Sequence, residues 1–225
     1  MAERSKAAVL KTVIPVRVSW VRIPLSPPYF AKASYGTASP WQLNPNPILM
    51  NITLTQVTSQ QLKELLTTTD VLYGYHQLPV GTLFICTLNN NIIAAVFCDD
   101  STTTEETILK KYPHAQLCDD QHLTQLINQP TLNIITTGTD FQYNVWRAAA
   151  EIPAGTTATY QELATKLNNP TAFRAVANAL ADNSVAYFIP CHRIVRSNGD
   201  MGGYKWGFEV KAALLEHERA TKKNQ

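Results

Sequence analysis

The chain has 225 residues, 45% of them apolar and 16% charged, with a formal net charge of +2. That supplies a globular core in one large domain or two small ones. Four widely spaced cysteines (Cys86, Cys98, Cys118, Cys191) with no C-x-x-C pair argue against a disulfide framework or a structural zinc site, and no apolar run approaches the length of a membrane span.

The charge is uneven. Residues 1–68 carry seven Lys/Arg against two Asp/Glu, residues 69–138 two against seven, and residues 139–225 ten against eight. If the protein meets nucleic acid, the acidic middle is not its contact face, and the C-terminal part supplies a modest field that must be helped by shape and inserted side chains.

Residues 1–49 show neither helical nor strand periodicity. They hold Pro15, Pro24, Pro27, Pro28, Pro40, Pro45 and Pro47, and no acid occurs between Glu3 and Glu64. An acid-poor leader suggests an organelle transit peptide, but the prolines spoil an amphipathic helix. A disordered extension is a simpler reading. A third is a misassigned start, because residues 18–29 look like an open reading frame extended through a transfer-RNA gene. On that reading Met50 begins the protein.

From Asn51 the pattern is orderly. Residues 59–66 predict a short helix, and 71–75, 81–88 and 91–98 predict strands, with Asn89-Asn90 as a hairpin turn. Helices are expected over 103–112 and 121–128 and a strand over 131–137, together a small α+β domain over 50–138. His76, His114 and His122 lack metal-ligand spacing. Cys86, Cys98 and Cys118 read as fillers.

The segment 139–225 is mostly helical. Phe141, Val145, Ala149 and Ile152 repeat at helical spacing, and Thr159-Tyr160-Gln161-Glu162 has the form of a capping box. Tyr160, Leu163, Ala164 and Leu167 form one apolar stripe. Asn168-Asn169-Pro170 is a turn, and Phe173, Val176, Ala177 and Leu180 form a second stripe. Two short helices around a tight turn make a helix-turn-helix, a pattern shared with hairpins that bind nothing. Arg174 and Asn178 share the other face, as solvated side chains or as DNA contacts.

Residues 185–189 then read as a buried strand, stopped by Pro190 and delivering Cys191. A thiol beside the imidazole of His192 and the guanidinium of Arg193 is in electropositive surroundings, which favours thiolate. Taken alone, the pair reads better as a structural cysteine with polar neighbours. Gly202-Gly203-Tyr204-Lys205-Trp206-Gly207 is a loop able to wrap a flat ligand, or a turn with its aromatics in the core. A closing helix over 208–219 carries Glu218.

Three of these features together, the IPCHRIV segment, the helix-turn-helix before it and the GGYKWG loop after it, resemble the methylated-DNA–protein-cysteine methyltransferases, and bacterial members in particular. The resemblance is strong from Phe141 to Glu218, weaker over 71–138, and absent over 1–49. It is also similar to the C-terminal half of the adaptive-response regulator, without that protein's cysteine-rich zinc domain, so phosphotriester sensing is not expected.

The resemblance implies an α+β fold: a small RNase-H-like N-terminal domain followed by a mainly helical, winged helix-turn-helix alkyltransferase domain. It implies a cytoplasmic monomer, nucleoid-associated when bound, that needs no cofactor or metal. Its partner would be double-stranded DNA carrying 6-O-alkylguanine, entered from the minor groove, with 4-O-methylthymine a second candidate lesion. Cys191 would be the nucleophile and permanent alkyl acceptor. His192 would deprotonate it through a water, and Glu218 would orient His192. An extended strand would point Cys191 and His192 to opposite faces, which itself calls for the water.

By the same resemblance Tyr160 would push the target phosphate and hydrogen-bond the purine, and Asn183 would tie the helix-turn-helix to the active-site turn. Arg174 would fill the gap left by the flipped nucleotide. Ala172, Ala175, Ala177 and Ala179 would keep the recognition helix slim, with Asn178 beside them. Leu180, Met201, Gly202, Tyr204, Lys205 and Trp206 would form the base pocket and its turn. Trp206 stands where more permissive relatives carry a small residue, so methyl should be accepted readily and benzyl poorly. The rival readings are a non-catalytic alkyl-DNA sensor, a transcription regulator using the helix-turn-helix alone, and a cysteine hydrolase.

Overall fold

The computed structural model describes residues 51–98, 103–117 and 120–223. The extension 1–49, with its three readings, lies outside them, as does Cys118.

The chain order is β1 (Asn51–Gln56), α1 (Ser59–Thr68), β2 (Val71–Leu78), β3 (Gly81–Leu88), β4 (Asn91–Phe97), α2 (Thr103–Lys111), β5 (Gln116–Leu117), α3 (Asp120–Ile127) and β6 (Thr131–Thr136). The strands form one mixed sheet in the order β1-β6-β4-β3-β2-β5. The centre is the antiparallel β2–β3–β4 meander, while β1 pairs parallel with β6. The hairpin expected at Asn89-Asn90 is present. Both residues take positive φ, 48° and 61°, the left-handed pair of a tight two-residue turn that asparagine tolerates.

Strand β1 was not foreseen. Its residues are alternately exposed and half-buried, so Ile52 and Leu54 are its only strong apolar signal at the sheet edge. The neighbour β3 shows the opposite extreme, with six consecutive buried residues. Leu83 and Ile85 enter the larger core, while Phe84, Cys86 and Leu88 enter a second core under α1 and α2. A register shift opposite Cys86 and Thr87 leaves Ile93 as an extra residue on β4. Ile93 and Ala94 therefore face the same core, as a β-bulge requires.

The helical half follows: α4 (Asp140–Ala150), β7 (Ala158–Thr159), α5 (Tyr160–Lys166), a 3-10 turn at Pro170–Ala172, α6 (Phe173–Ala181), β8 (Ile194–Val195) and α7 (Phe208–Lys223). The architecture is α+β, as expected. Val145, Ala149, Leu163, Val176, Ala179 and Leu214 share the larger core with Leu83, Ile92 and Ala95 of the sheet. The indole of Trp146 donates to the carbonyl of Ala179 at 2.8 Å and locks α4 to α6. Among the described residues no helix is long and apolar enough to cross a membrane.

The capping box foreseen at Thr159 is closed in both directions: its hydroxyl accepts from the Glu162 amide at 3.0 Å, and the Glu162 carboxylate accepts from the Thr159 amide at 2.6 Å. That amide bond holds the Glu162 carboxyl below its ordinary range. The cap fixes where α5 starts, and so where Tyr160, its first residue, points.

Two expectations fail here. Phe173 was placed on the apolar stripe of α6, but it is 42% exposed. The buried stripe is Val176, Ala179 and Leu180, with Ala177 half-buried. Residues 185–189 are not a strand. Only Val185 bridges to the sheet, at Ala95, and turns follow. The run is apolar because Val185, Ala186, Phe188 and Ile189 are all buried, not because it is extended. Buried backbone outside a ladder needs other partners, and here Asn183 supplies two of them beside local backbone bonds. Its Oδ1 accepts from the Val185 amide at 2.9 Å, and its Nδ2 donates to the Ile189 carbonyl at 3.1 Å.

Candidate active site

Cys191 stands at the start of a 3-10 turn, Cys191–Arg193, that follows Pro190. The expected strand geometry for Cys191 and His192 is therefore replaced by a tight helical turn. Such a turn still separates consecutive side chains, by about a third of a revolution. Nδ2 of Asn183 also reaches Cys191 Sγ, at 3.3 Å. One buried amide thus orders the turn and touches the sulfur.

His192 and Glu218 are both buried, and His192 Nε2 lies 2.9 Å from Glu218 Oε1. Glu218 is the hub of a larger network. Arg193 donates to it from Nη2 at 2.8 Å and from Nε at 3.0 Å, and the Gly155 amide donates to its Oε2 at 3.0 Å. Burial alone would raise the Glu218 carboxyl, but hydrogen bonds from His192 and Arg193 prevail and hold it down to about 2. A carboxylate has only acceptors, so Nε2 of His192 carries the proton. Its Nδ1, buried and without a protein partner among the described residues, is left as the basic nitrogen.

The electropositive surroundings expected of Cys191 are only partly present. The Arg193 charge is taken up by Glu218, and burial lowers the His192 pKa, so His192 rests neutral. Burial also pushes the Cys191 thiol up, opposed by the Asn183 hydrogen bond and by the ammonium groups of Lys211 and Lys205. Cys191 therefore rests as a thiol and needs a base.

Lys211 was missed. It is fully buried in α7, and its Nζ donates to the carbonyls of Ile194, at 2.6 Å, and Met201. Burial lowers it to about 8. A lysine surrounded by Val210, Ala212 and Ala213 in an otherwise apolar stretch was the available signal. The bridging role of Arg193, whose Nη1 also donates to the Ile152 carbonyl, was hidden because Ile152 and Glu218 meet it only in three dimensions.

Cys191 opens onto a cleft of about 830 Å³. One wall is the outward face of α6: Phe173, Arg174, Ala177, Asn178, Leu180 and Ala181. The other is the segment after β8, with Arg196, Ser197, Asn198, Gly203, Tyr204, Lys205 and Trp206, and Tyr160 and Gln161 complete the rim. Arg174, Arg196 and Lys205 line it, and no carboxylate does. The Trp206 indole N–H is buried without a hydrogen-bond partner among the described residues, and the buried Tyr204 hydroxyl lies beside the Cys191 sulfur, where burial first and then the sulfur push its pKa up, so two flat side chains bring polar groups to the cleft. Tyr160 is kept in its hydroxyl form: burial raises its pKa, the Cys191 charge adds to this, and only Arg196 opposes.

The structure thus gathers Tyr160, Arg174, Asn178, Leu180, Cys191, Tyr204, Lys205 and Trp206 on one cleft, backed by Asn183, His192 and Glu218. Met201 and Gly202 do not line it; they border a separate depression with Phe208. Gly202 nevertheless lies behind Tyr160. With φ at +71° it occupies a glycine conformation, and a Cβ there would sit 3.5 Å from the Tyr160 hydroxyl. Ala172 is half-buried in the 3-10 turn before α6 rather than on the helix, Ala175 is exposed on α6 outside the cleft lining, and Ala179 is buried in the core, so it does not slim the outer face as expected. Gln161, Phe173 and Arg196 are cleft residues that sequence reasoning did not select.

Residues 140–220 match the family model described as the 6-O-methylguanine DNA methyltransferase, DNA binding domain. The inducible methylated-DNA–protein-cysteine methyltransferase of Bacillus subtilis is 37% identical over 122 residues, which are 49% of this chain and 68% of that protein. The chain belongs to the methylated-DNA–protein-cysteine methyltransferase family. Among other members, the bifunctional transcriptional activator/DNA repair enzyme Ada of Escherichia coli is 38% identical over 160 residues, 66% of this chain and 45% of that protein. The chain spans about half the length, or less, of most of the first curated relatives it matches. The crystal structure of the Mycobacterium tuberculosis O6-methylguanine methyltransferase superposes with a TM-score of 0.57 at 28% identity, covering 67% of this chain and 93% of that one. The same family's Mycobacterium tuberculosis protein in complex with DNA gives 0.55 at 28% identity, over 66% and 93%.

Proposed function

We propose that this protein repairs DNA by direct reversal, moving the methyl group of 6-O-methylguanine irreversibly onto its own Cys191. The observation that carries this is the buried Cys191 at the foot of a cationic, acid-free cleft, with a neutral His192 ordered behind it by Glu218. The family relation supports the same reading. A hydrolase is disfavoured because the thiol has no oriented base in direct contact and the relatives are transferases.

The chemistry balances without a cofactor. A water bridging Cys191 Sγ and the free Nδ1 of His192 would carry the thiol proton to the imidazole, whose positive charge Glu218 stabilises. The thiolate then attacks the methyl carbon in line, an S–C bond forms, and the C–O bond breaks with its electron pair left on the purine. Tyr160, a hydroxyl donor at neutral pH, would stabilise the purine charge by hydrogen bonding at a ring nitrogen. Guanine finally takes up one proton, matching the one the thiol lost. The thioether resists water, so each molecule acts once.

A base within a duplex must be turned out to reach Cys191. We place α6 in the minor groove, supported by the small residues Ala175, Ala177 and Ala181 on its outer surface, with Arg174 entering the stack and the protein acting as a monomer. The test is intact-protein and peptide mass spectrometry after incubation with duplex DNA containing 6-O-methylguanine. A single methyl on the Cys191 peptide, absent in Cys191→Ser, supports the proposal. DNA binding with no methyl on Cys191 would make the protein a sensor.

A further inference from the structure

Among the described residues only Phe173 and Phe208 are large, apolar and exposed, at 42% and 55%. Phe208 borders the shallow depression behind the cleft. Phe173 stands on the cleft itself, in the first turn of α6, next to Arg174. Helix α6 buries its apolar side well without it, through Val176, Ala179 and Leu180. An exposed phenyl ring therefore adds little to this helix and stands available to whatever enters the cleft.

The surface around it is specific. Residues 173, 177 and 181 follow one another at helical spacing of four, a phenyl followed by two methyl groups. Arg174 and Asn178 form the parallel polar row. The Arg174 guanidinium lies 5.8 Å from the centre of the Phe173 ring, close enough for the ring face to orient the cation. No carboxylate among the described residues pairs with Arg174. The helix thus presents a flat apolar plate and a cation side by side, at the mouth of the cleft and flanked by small residues that let a partner approach closely.

We infer that Phe173 is a stacking wedge: resting on the proposed function, it packs against the base pair or deoxyribose flanking the extruded nucleotide while Arg174 occupies the gap. Proteins that enter the minor groove commonly insert apolar side chains at a base step and recover the unstacking cost through new contacts. A phenyl ring stacks on any base, because every base has a flat face. With a net charge of only +2 over the whole chain and three cations on the cleft, electrostatics supplies part of the affinity and leaves a share for an inserted ring to provide. Phe173 touches neither the sulfur nor the leaving group in this arrangement; it holds the opened duplex.

The test uses the full chain carrying Cys191→Ser, so that binding is read without alkyl transfer. Affinity for a duplex containing 6-O-methylguanine is measured by anisotropy for this protein and for versions adding Phe173→Ala or Phe173→Trp. Loss of the ring should weaken binding about tenfold, the effect of one lost base stack. Phe173→Trp should bind within about threefold of the parent, with additional indole fluorescence that is quenched on the duplex as aromatic stacking requires. A parallel assay in the Cys191 protein compares methyl transfer from duplex DNA with transfer from the free 6-O-methylguanine base. Phe173→Ala should slow the first about tenfold and the second by a clearly smaller factor, as expected of a ring whose main contact is with the duplex. Unchanged duplex affinity in Phe173→Ala, an unquenched indole in Phe173→Trp, or equal slowing of duplex and free base would overturn the wedge. Absence of methyl transfer in the parent would instead sink the repair function, and the anisotropy arms would still decide the role of Phe173.

Discussion

His192 Nε2 and Glu218 Oε1 are 2.9 Å apart in a site where both side chains are buried. The pair fixes the tautomer of the imidazole and ties catalysis to acid stability. Folded Glu218 titrates at about 2 against an ordinary 4.5. Its stabilisation is complete above about 4.5 and is lost as pH falls toward 2. Burial depresses His192 below its ordinary 6.5, so the unfolded chain takes up a proton there before the folded one does. Both groups act in one direction, and stability should climb from pH 2 to about 7. Urea midpoints across that range measure it, and in Glu218→Gln the rise below pH 4.5 should flatten.

Removing the Glu218 charge has a second effect. Arg193 is buried, and Glu218 is its sole carboxylate partner among the described residues. Glu218→Gln leaves that guanidinium uncompensated, which costs about 3–5 kcal/mol in comparable buried pairs. It also removes the charge that stabilises protonated His192, so methyl transfer should fall by about a hundredfold, in the range of general-base losses. Stopped-time mass spectrometry of the Cys191 peptide gives the rate. A variant that unfolds less readily than the parent, or transfers methyl as fast, would mean that the network is ornamental.

Asn183 carries a different load. Its side chain bonds the Val185 amide, the Ile189 carbonyl and Cys191 Sγ. Asn183→Ala strands two buried backbone groups at about 1–3 kcal/mol each. Because the Asn183 bond lowers the thiol pKa, its loss should move iodoacetamide labelling of the Cys191 peptide to higher pH. Melting temperature and the labelling profile separate the two effects. Labelling shifted to lower pH would contradict the assigned direction.

The same residue explains where the sequence was legible and where it was not. Helices with local punctuation could be placed closely: Thr159 with Glu162 announces α5, and Asn89-Asn90 announces the β3–β4 turn, because cap and turn chemistry lies within four residues. Residues 185–189 were misread because a run of buried apolar residues looks alike in a strand and in a turn. The difference lies in Asn183, which supplies the backbone partners from two to six residues away. Tyr187, at φ +70°, gives no sign of its conformation in sequence. Strand β1 was overlooked because edge strands are half-polar. In the site, the Cys191–His192 motif and the Tyr204–Trp206 loop were readable from order alone. The burial of Lys211, the exposure of Phe173 and the Arg193–Glu218 pairing required elements far apart in the chain to meet.

Lys211 can be tested as such a meeting point. Its ammonium bonds the carbonyls of Ile194 and Met201, one in β8 and one in the loop before Trp206, and its charge favours the Cys191 thiolate. Lys211→Met keeps the stem's volume but leaves both carbonyls unsatisfied, at about 1–3 kcal/mol each. Cys191 labelling should also require higher pH, since a favourable charge is gone. Chemical denaturation and the labelling profile read both. Unchanged labelling with reduced stability would restrict Lys211 to a structural role.

Trp206 bears on which alkyl groups fit. Its ring packs edge-on against Phe97 of β4, with centroids 6.3 Å apart, and against Tyr204 at 5.2 Å. Held on both sides, the indole cannot swing aside without disturbing the sheet face, so it is a fixed wall of the cleft rather than a mobile lid. Methyl should therefore transfer much faster than benzyl when 6-O-methylguanine and 6-O-benzylguanine are compared as free bases. Trp206→Ala removes the wall and should raise the benzyl-to-methyl ratio by at least tenfold, at a stability cost of about 3 kcal/mol for a large aromatic truncation. The ratio is insensitive to a general loss of folded protein, because both substrates report on the same molecules. A ratio unchanged by Trp206→Ala would shift the size limit to Tyr204, on the same wall, or to Leu180, on the opposite one.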